Sequence, residues 1–506
     1  MFACSTDGSR AKLGGPGLNR NCQNQNLECC QLHHPPRRRG EPRGRYYDAR
    51  VPEPTVVILA AGEGTRMRSA VPKVLHPLCG RPLLAWPVAA AKEAGAGRVI
   101  VVDNPKRRLE EHLPEDVEVA IQKEPRGTGD AVAAAAALID PTATTVVING
   151  DVALLTAEAI RKLVEAHDAA GAAATMATME LDEPGTYGRV IRDKDGSVLR
   201  VAEAKTEGDA TPEELEIREV NSGVYAFDGG ALVAALQMLD SDNAQGELYL
   251  PDVLPAMREA GRTVAAHPIG DPDLTHGVDD RIDLAYAHQV MQRRIHEGHM
   301  RDGVTIVNPA ATTIDGGVTI GRDTVVEPFA QLHGDTQIGA DTTIGAHSTL
   351  IDSRIGDGVT IRHSYLTGAQ VDDGATVGPY AYLRPDAHLH PKAKAGTFVE
   401  IKNSEIGPGA KVPHLSYIGD ADVGEGTNIG AGNITANYDG RNKHRMTIGA
   451  NVRTSSDTVF VAPVTVGDEA YTAAGSVITD DVPPKALGIA RSRQKNVEGY
   501  ADRKRQ

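Results

Sequence analysis

From residue 320 onward, apolar side chains recur at every sixth position. Ile320, Val326, Leu332, Ile338, Ile344 and Leu350 form one series, and Val371, Val377, Leu383, Leu389, Ala395 and Ile401 a second. Shorter series follow at Ile406, Val412 and Ile418, and at Val423 and Ile429; glycine often comes next, as in Ile338-Gly339, Ile344-Gly345 and Val377-Gly378. A period of six fits neither the 3.6 of a helix nor a long strand of period two. It predicts short strands joined by turns that coil into a solenoid, one anchor per side pointing inward. Residues 55–280 read differently. Short apolar strands at 55–59, 98–102 and 145–148 alternate with helical stretches at 83–94 and 130–138, which predicts an α/β domain with a largely parallel sheet. Residues 281–302 predict one polar helix, with Leu284, His288, Met291 and Ile295 along a face, connecting the two regions. The residues from Asp481 onward, rich in Pro, Lys and Arg, are expected to leave the repeat.

A chain of 506 residues is too long for one core. The expected division is an extension at 1–50, an α/β domain at 51–281, a linker helix at 282–302, and a solenoid with a C-terminal tail at 303–506. The formal net charge is −15; residues 1–50 hold nine Arg or Lys against four Asp or Glu, so they carry +5 and the remainder −20. An acidic body argues against nonspecific nucleic-acid binding and requires local basic pockets for anionic ligands. No apolar run reaches the roughly 18 residues of a membrane span. Residues 1–50 are rich in Gly, Pro, Arg and Asn without apolar periodicity, and read as disordered. They lack the apolar stretch of a secretory signal; an Arg-rich targeting peptide and an upstream-extended reading frame with the start near Val51 are the two other readings. Cys4, Cys22, Cys29 and Cys30 lie in this extension and only Cys79 in the body, which excludes an intramolecular disulfide framework there and points to a reducing cytoplasm. The Cys29-Cys30 pair and His33-His34 match no zinc spacing.

Candidate chemistry begins where the first strand ends. Residues 56–73 read Val-Val-Ile-Leu-Ala-Ala-Gly-Glu-Gly-Thr-Arg-Met-Arg-Ser-Ala-Val-Pro-Lys. A buried strand runs into a loop whose Gly62 and Gly64 let backbone N–H groups approach phosphate. Arg66 offers a planar fork of donors and Lys73 a compact charge. A lone Gly-x-Gly is weak evidence, but the whole run from Leu59 through Met67 with Pro72-Lys73 is specific, and it resembles the sugar-phosphate nucleotidyltransferases. The six-residue period resembles the hexapeptide-repeat acyltransferases, whose fold is a left-handed parallel β-helix. Together, over about residues 54–500, the two halves resemble the bacterial bifunctional N-acetylglucosamine-1-phosphate uridylyltransferases / glucosamine-1-phosphate N-acetyltransferases.

The resemblance implies a Rossmann-like nucleotidyltransferase domain that binds UTP and N-acetylglucosamine-1-phosphate through Leu59, Ala60, Ala61, Gly62 and Lys73, with Arg66 and Lys73 as catalytic cations. Gln122 and the Gly127-Thr128 turn would read uracil, since Gln offers both a donor and an acceptor. Asn149-Gly150-Asp151 ends a strand at the expected crevice. Gly188, Glu203 and Asn221 would bind the N-acetylglucosamine portion. Asp151 and Asp279 would hold Mg²⁺, a hard cation suited to carboxylate and phosphate oxygens. Two positions depart from the family pattern: Asp279 stands where Asn is common, adding a negative charge beside the phosphates, and Asn149 precedes Gly-Asp where Tyr or another residue is found.

For the solenoid, the resemblance implies acetyl transfer from acetyl-CoA to glucosamine-1-phosphate, with His414 as general base because a neutral imidazole accepts a proton near neutral pH. Arg384, Lys402, Tyr417, Asn428 and Lys443 would bind the amino-sugar phosphate, for which cations are suited. Ala431, Asn437, Tyr438, Ser456, Ala474 and Arg491 would contact acetyl-CoA. The segment at Asn437-Tyr438-Asp439-Gly440 interrupts the hexads, where a functional loop is expected. Family members of this kind are homotrimers with acetyl sites between subunits, act in the cytoplasm, and supply UDP-N-acetylglucosamine for cell-wall peptidoglycan. Two other readings compete: a monofunctional sugar nucleotidyltransferase with a regulatory solenoid, against which the 414–417 and 437–438 segments argue, and a non-catalytic assembly subunit, which should lack the loop cations, Asp151 and the base.

Overall fold

The computed structural model describes residues 52–106, 109–194, 196–204, 210–239 and 246–505; the expectations for residues 1–50 lie outside these. The first region is built on a sheet whose main path runs Val264–Pro268, Ala174–Glu180, Glu219–Asp228, Thr144–Asn149, Thr55–Leu59, Arg98–Asp103 and Glu118–Ile121. All neighbours on that path are parallel except Glu219–Asp228, which is antiparallel to both sides. Continuous runs such as Val-Val-Ile at 56–58 are buried because helices cover both faces of such a sheet. The two apolar layers are separate: Val57, Ile100 and Val147 face one, Val56, Ile58 and Val146 the other. The expected helices appear as Ala85–Glu93 and as Thr128–Ala135, the latter tightening into a 3₁₀ turn at Ala136–Leu138.

The second region is a three-sided left-handed parallel β-helix. Its three sheets have seven, ten and nine strands, most two or three residues long, and strand partners come from successive coils. In the first sheet Ile306, Val326, Ile344, Ile361, Val377, Ala395 and Val412 stack in register along one inward line. All seven are buried in one continuous core. Hydroxyls of Thr324, Thr342, Ser353 and Ser364 reach backbone carbonyls at the corners, so the buried turns stay hydrogen-bonded. The corner between the first and second sheets carries Phe329, His347, His363, Tyr380, Phe398 and Leu415, all at positive φ. The rings of the first five follow one another at centroid distances of 4.8–5.6 Å, Phe329 on His347 and Tyr380 on Phe398 stacked and the pairs made by His363 tilted. One expectation is corrected here. The chain does not leave the repeat at Asp481: Val482 bridges to Val466, and Leu487–Gly488 pairs with Tyr471–Thr472 in parallel. The proline-bearing stretch still buries an apolar anchor at Val482, which extends the coil.

The helix Arg281–Arg301 begins at a capping box in which Asp280 and Asp283 each accept from backbone N–H groups of the other's turn. Of the expected face, Met291 is buried and the others are half-buried; Ala287, Val290 and Gln292 complete the contact. Gln292 joins the two regions. Its amide donates to Ile314 O (2.7 Å) and accepts from Ile314 N (3.0 Å), while Nε2 also reaches Cys79 Sγ (3.2 Å). Gly316 N donates to Cys79 O, Arg81 donates to Gly316 O, and the Trp86 ring lies where a Gly316 side chain would be. Burial pushes the Cys79 thiol up to about 11, so it packs as a small hydrophobe.

Candidate active sites

The first site is a cleft of about 760 Å³ at the C-terminal ends of the central strands, the crevice where ligands sit in open α/β sheets. Buried Val56, Val57 and Ile58 carry the chain to Leu59, and Ala60 N then bonds Val102 O of the adjacent strand. Gly64 turns the loop at φ 60°, and a side chain there would overlap Cβ of Lys73. That close approach seats Lys73 under the loop with its side chain only 14 % exposed. Its Nζ donates to Asp151 Oδ2 (2.5 Å) and to Asp279 Oδ1 (3.1 Å). Burial alone would lower the Lys73 pKa, but the two carboxylates outweigh it and hold the ammonium charged. Arg66, largely exposed, reaches the same Asp279 oxygen at 2.9 Å. Asp279 is fixed from behind, because Asp283 accepts from the Asp279 and Asp280 backbone N–H groups at the start of the linker helix.

Of the residues expected to bind nucleotide and sugar, Leu59, Ala60, Ala61, Gly62, Gln122, Gly127, Thr128, Asn149, Gly188, Glu203 and Asn221 line this cleft beside the charged group. Gly150 does not. It is buried, its N–H bonds Leu59 O (2.8 Å), and its Cα face meets Ala60 and Leu84, so it closes the sheet rather than the ligand space. Gln122 also differs from expectation. Its Nε2 is committed to Gly127 O (3.1 Å) and Asp130 Oδ2 (2.9 Å), which turns the carbonyl oxygen, an acceptor, toward a ligand. Gly127 has φ 113°, and a Cβ there would sit 2.5 Å from Leu248 O. Asn221 stands at a bulge in the antiparallel strand, where its Oδ1 accepts from Gly223 N. Tyr225, Tyr249, His276 and Asp283 also line the cleft, without a sequence motif that marks them. Aromatic residues inside or after a buried strand carry no signal that separates them from core. Two carboxylates converging on one cation at the cleft floor are a donor set that suits Mg²⁺.

The second site lies on the solenoid. Arg384, Lys402, Lys443 and Arg445 converge around a pocket of about 470 Å³, with Asp386, Asn403, Asp420 and His444. Arg384 directly follows Tyr382–Leu383 and Lys402 ends Glu400–Lys402, adjacent strands of the second sheet, so stacking of coils brings the cations together. Buried Asp420 organises the floor. It accepts from Asn403 (2.6 Å) and from Asn437, and lies 3.7 Å from Lys402. Burial would raise its pKa, yet these partners hold it below the usual carboxylate value. The break in the hexads is the excursion from Asn437 to Arg445, closed by the Tyr438–Lys443 bridge, and it supplies one wall of the pocket. Tyr417 leans across Gly419, where any side chain would overlap its hydroxyl.

His414 lies at the end of Lys411–His414, exposed, at the corner between the first and second sheets. Directly along that corner come Ala431, Ser456 and Ala474: Gly432 N bonds His414 O, Asp457 N bonds Ala431 O, and Gly475 N bonds Ser456 O. The residues expected to contact acetyl-CoA are therefore divided. Ala431, Ser456 and Ala474 form a column continuing from His414, whereas Asn437 and Tyr438 belong to the opposite corner of the second sheet. Asn428 is also apart, on the first face between Lys411 and Arg453. Arg491 follows Ala490, which pairs with Val477, and is exposed at the end of the solenoid. The division follows from the spacing: the six-residue step that makes the prism sends neighbouring motifs to different sides.

Residues 56–210 match the MobA-like NTP transferase domain, and residues 317–352 match the bacterial transferase hexapeptide (six repeats). The chain is 50 % identical over 460 residues to a bifunctional protein GlmU of Mycolicibacterium vanbaalenii, covering 89 % of this chain and 93 % of that protein. It is 49 % identical over 459 residues to the bifunctional protein GlmU of Streptomyces coelicolor, covering 89 % of this chain and 94 % of that one. A Mycobacterium bovis protein of the same name is 48 % identical over 460 residues, covering 89 % and 92 %.

Proposed function

The chain belongs to the bifunctional GlmU family, and on that premise we propose how its two sites divide the making of UDP-N-acetylglucosamine. The solenoid transfers acetyl from acetyl-CoA to glucosamine-1-phosphate. The α/β domain then transfers uridylyl from UTP to N-acetylglucosamine-1-phosphate and releases pyrophosphate. The carrying observation is one chain with two cation-lined sites, one at the strand ends beside Asp151 and Asp279 and one at the solenoid corner.

In the first site a phosphate oxygen of N-acetylglucosamine-1-phosphate attacks the α-phosphorus of UTP, and the bond from that phosphorus to the bridging oxygen breaks. Lys73 and Arg66 form a neutral group with Asp151 and Asp279. Asp151 and Asp279 would hold Mg²⁺, which would supply charge neutralisation at the phosphates. Lys73 and Arg66 bind the triphosphate, while the Gln122 oxygen accepts from the uracil N–H. Gly188, Glu203 and Asn221 orient the sugar. The chain contributes positioning and charge, the main terms for this reaction class.

In the second site Arg384, Lys402 and Lys443 hold the phosphate, with Tyr417 and Asn428 on the sugar. His414 takes a proton from the amine as nitrogen attacks the thioester carbonyl; the carbon–sulfur bond breaks and CoA leaves. Asn428 and the Arg384 pocket stand on different faces of one prism, which supports assembly as a homotrimer with each acetyl site shared between copies. Among the described residues no helix is long and apolar enough to cross a membrane, and we place the enzyme in the cytoplasm, where both co-substrates are made. One incubation tests the reading: glucosamine-1-phosphate, acetyl-CoA, UTP and Mg²⁺ should yield UDP-N-acetylglucosamine, pyrophosphate and free CoA. Uridylyl transfer without CoA release would leave only the monofunctional reading.

A further inference from the structure

The third face of the solenoid carries a group of side chains that neither reaction uses. His388 lies in register between Gln370 on the preceding coil and Glu405 on the next. Asp372 and His390 follow two residues beyond Gln370 and His388, and so project on the same side of the extended backbone. The two imidazole rings stand 4.0 Å apart between centroids. Asp372 Oδ2 is 2.9 Å from His388 Nε2 and 3.6 Å from His390 Nδ1. Glu405 Oε2 is 2.9 Å from His388 Nδ1 and 2.8 Å from His390 Nε2. Each carboxylate therefore faces one nitrogen of each ring. All four side chains are partly buried, and one ligand atom each from Asp372, His388 and His390 fall within 4.8 Å of one another.

We propose that Asp372 Oδ2, His388 Nε2 and His390 Nδ1 form a binding site for a divalent transition metal of the zinc class, with Glu405 holding both rings from behind. A neutral imidazole offers one lone pair and one N–H. When the nitrogens toward Asp372 bind metal, the opposite nitrogens carry protons and both point at Glu405. That is the carboxylate–histidine–metal arrangement that fixes tautomer and ring orientation. Ligand atoms around a tetrahedral zinc with bonds of about 2.0–2.1 Å stand roughly 3.3 Å apart. The 2.9 and 3.6 Å separations to Asp372 bracket that spacing. Two nitrogens and one carboxylate oxygen suit zinc better than magnesium or calcium, and leave a fourth position for water. The ligands and their supporting carboxylate come from three successive coils, so the ion clips those coils together.

The test uses the full chain, stripped with chelator, and Zn²⁺ or Co²⁺ alone as probe. Calorimetric titration should show one more equivalent of Zn²⁺ bound by the wild type than by the His388→Ala/His390→Ala variant. Zinc should raise the melting temperature of the wild type only, and Glu405→Gln should weaken binding about 10–100-fold. Acetyl and uridylyl transfer by the double variant should both match the wild type, which reports that the solenoid and the α/β domain have both folded. The cobalt spectrum of the wild type decides independently of any variant. Visible ligand-field bands without a thiolate charge-transfer band place the ion on nitrogen and oxygen, whereas a thiolate band alone assigns it to the cysteines of the extension and overturns the proposal. Equal zinc stoichiometry in wild type and double variant would also overturn it, leaving an ion-pair cluster only.

Discussion

Lys73 donates a 2.5 Å hydrogen bond to Asp151 across 78 residues of chain. The pair ties the loop after the first strand to the end of the fourth strand of the central path, and Asp279 joins them from the start of the linker helix. Three remote segments thus meet at one point of charge balance. Removing either aspartate changes both the proposed metal donor set and the partners of Lys73.

Asp151→Asn should lower uridylyl transfer about 10²–10³-fold, the range for losing one preorganised electrostatic partner. Acetyl transfer should stay near the wild-type rate. Asp279→Ala should raise the Mg²⁺ concentration needed for half-maximal uridylyl transfer, and Asp279→Asn should retain activity. A magnesium titration of the three variants checks this; an unchanged requirement in Asp279→Ala removes that residue from the metal site.

Gly64→Ala tests the seat of Lys73. The added carbon meets Lys73 Cβ and also occupies φ 60°, a backbone region costing a non-glycine residue about 1–2 kcal/mol. Uridylyl transfer should fall at least about tenfold through displaced Lys73, while a thermal melt shows only a modest loss and acetylation persists. Normal uridylyl transfer would show that Lys73 need not sit where it does.

His414→Ala should reduce acetyl transfer about 10²–10⁴-fold, the usual worth of a positioned base, and leave uridylyl transfer intact. Gly419→Ala should act in the same direction without touching the base, because the new methyl evicts the Tyr417 hydroxyl. Separate assays with purified glucosamine-1-phosphate and N-acetylglucosamine-1-phosphate read the two activities. Loss of both in a folded variant would contradict independent sites.

Acid should destabilise the fold before the carboxylates titrate. Burial lowers the pKa of His76, His167, His267, His296 and His299 below 6.5. These groups stay neutral when folded and gain protons on unfolding, so their contribution is complete above about pH 6.5 and is lost as pH falls toward the depressed values. His333 has the opposite sign: Asp315 raises its pKa, so its contribution is full below about 6.5 and is lost as pH rises through the raised value. With five groups against one among the described residues, the melting temperature should fall between about pH 6.5 and 5, with net proton uptake on unfolding. Calorimetry across that range in buffers of different ionisation enthalpy measures both; a flat melting curve would contradict the assignment.

The periodicity of six made the solenoid legible because each coil repeats the same burial problem, and Val326, Ile344 and Val377 answer it at the expected positions. The loop after the first strand was legible because Gly62 and Gly64 read as a turn and Arg66 and Lys73 as its cations, and the structure brings those cations together at the cleft. Other features were not. Gly150 reads like Gly62, yet it closes against Leu59 O, and only the path of the neighbouring strand decides that. The inward turn of the Gln122 amide depends on Asp130, eight residues away in a helix whose orientation is tertiary. The separation of Asn428 from Arg384 depends on which of three sides each hexad reaches, and slight departures from eighteen residues per coil accumulate along the chain. The Asp372, His388, His390 and Glu405 group was missed because its members are 16 and 15 residues apart between coils, a spacing that means nothing until the prism is wound.

The contact between Gln292 and Ile314 has a further consequence. The strands Thr305–Ile306, Thr313–Ile314 and Thr319–Ile320 begin their three sheets and have no earlier coil to pair with. A stack of open strands exposes an edge that can recruit another chain. Gln292 fills the bonding positions of Ile314 with a side-chain amide, and Cys79 O takes the N–H of Gly316. The nucleotidyl half and its helix therefore act as the end-plate that repeat architectures need for solubility. A solenoid cut free at residue 303 would carry its acetyl site intact but present that raw edge to its neighbours, and would be prone to aggregate end to end.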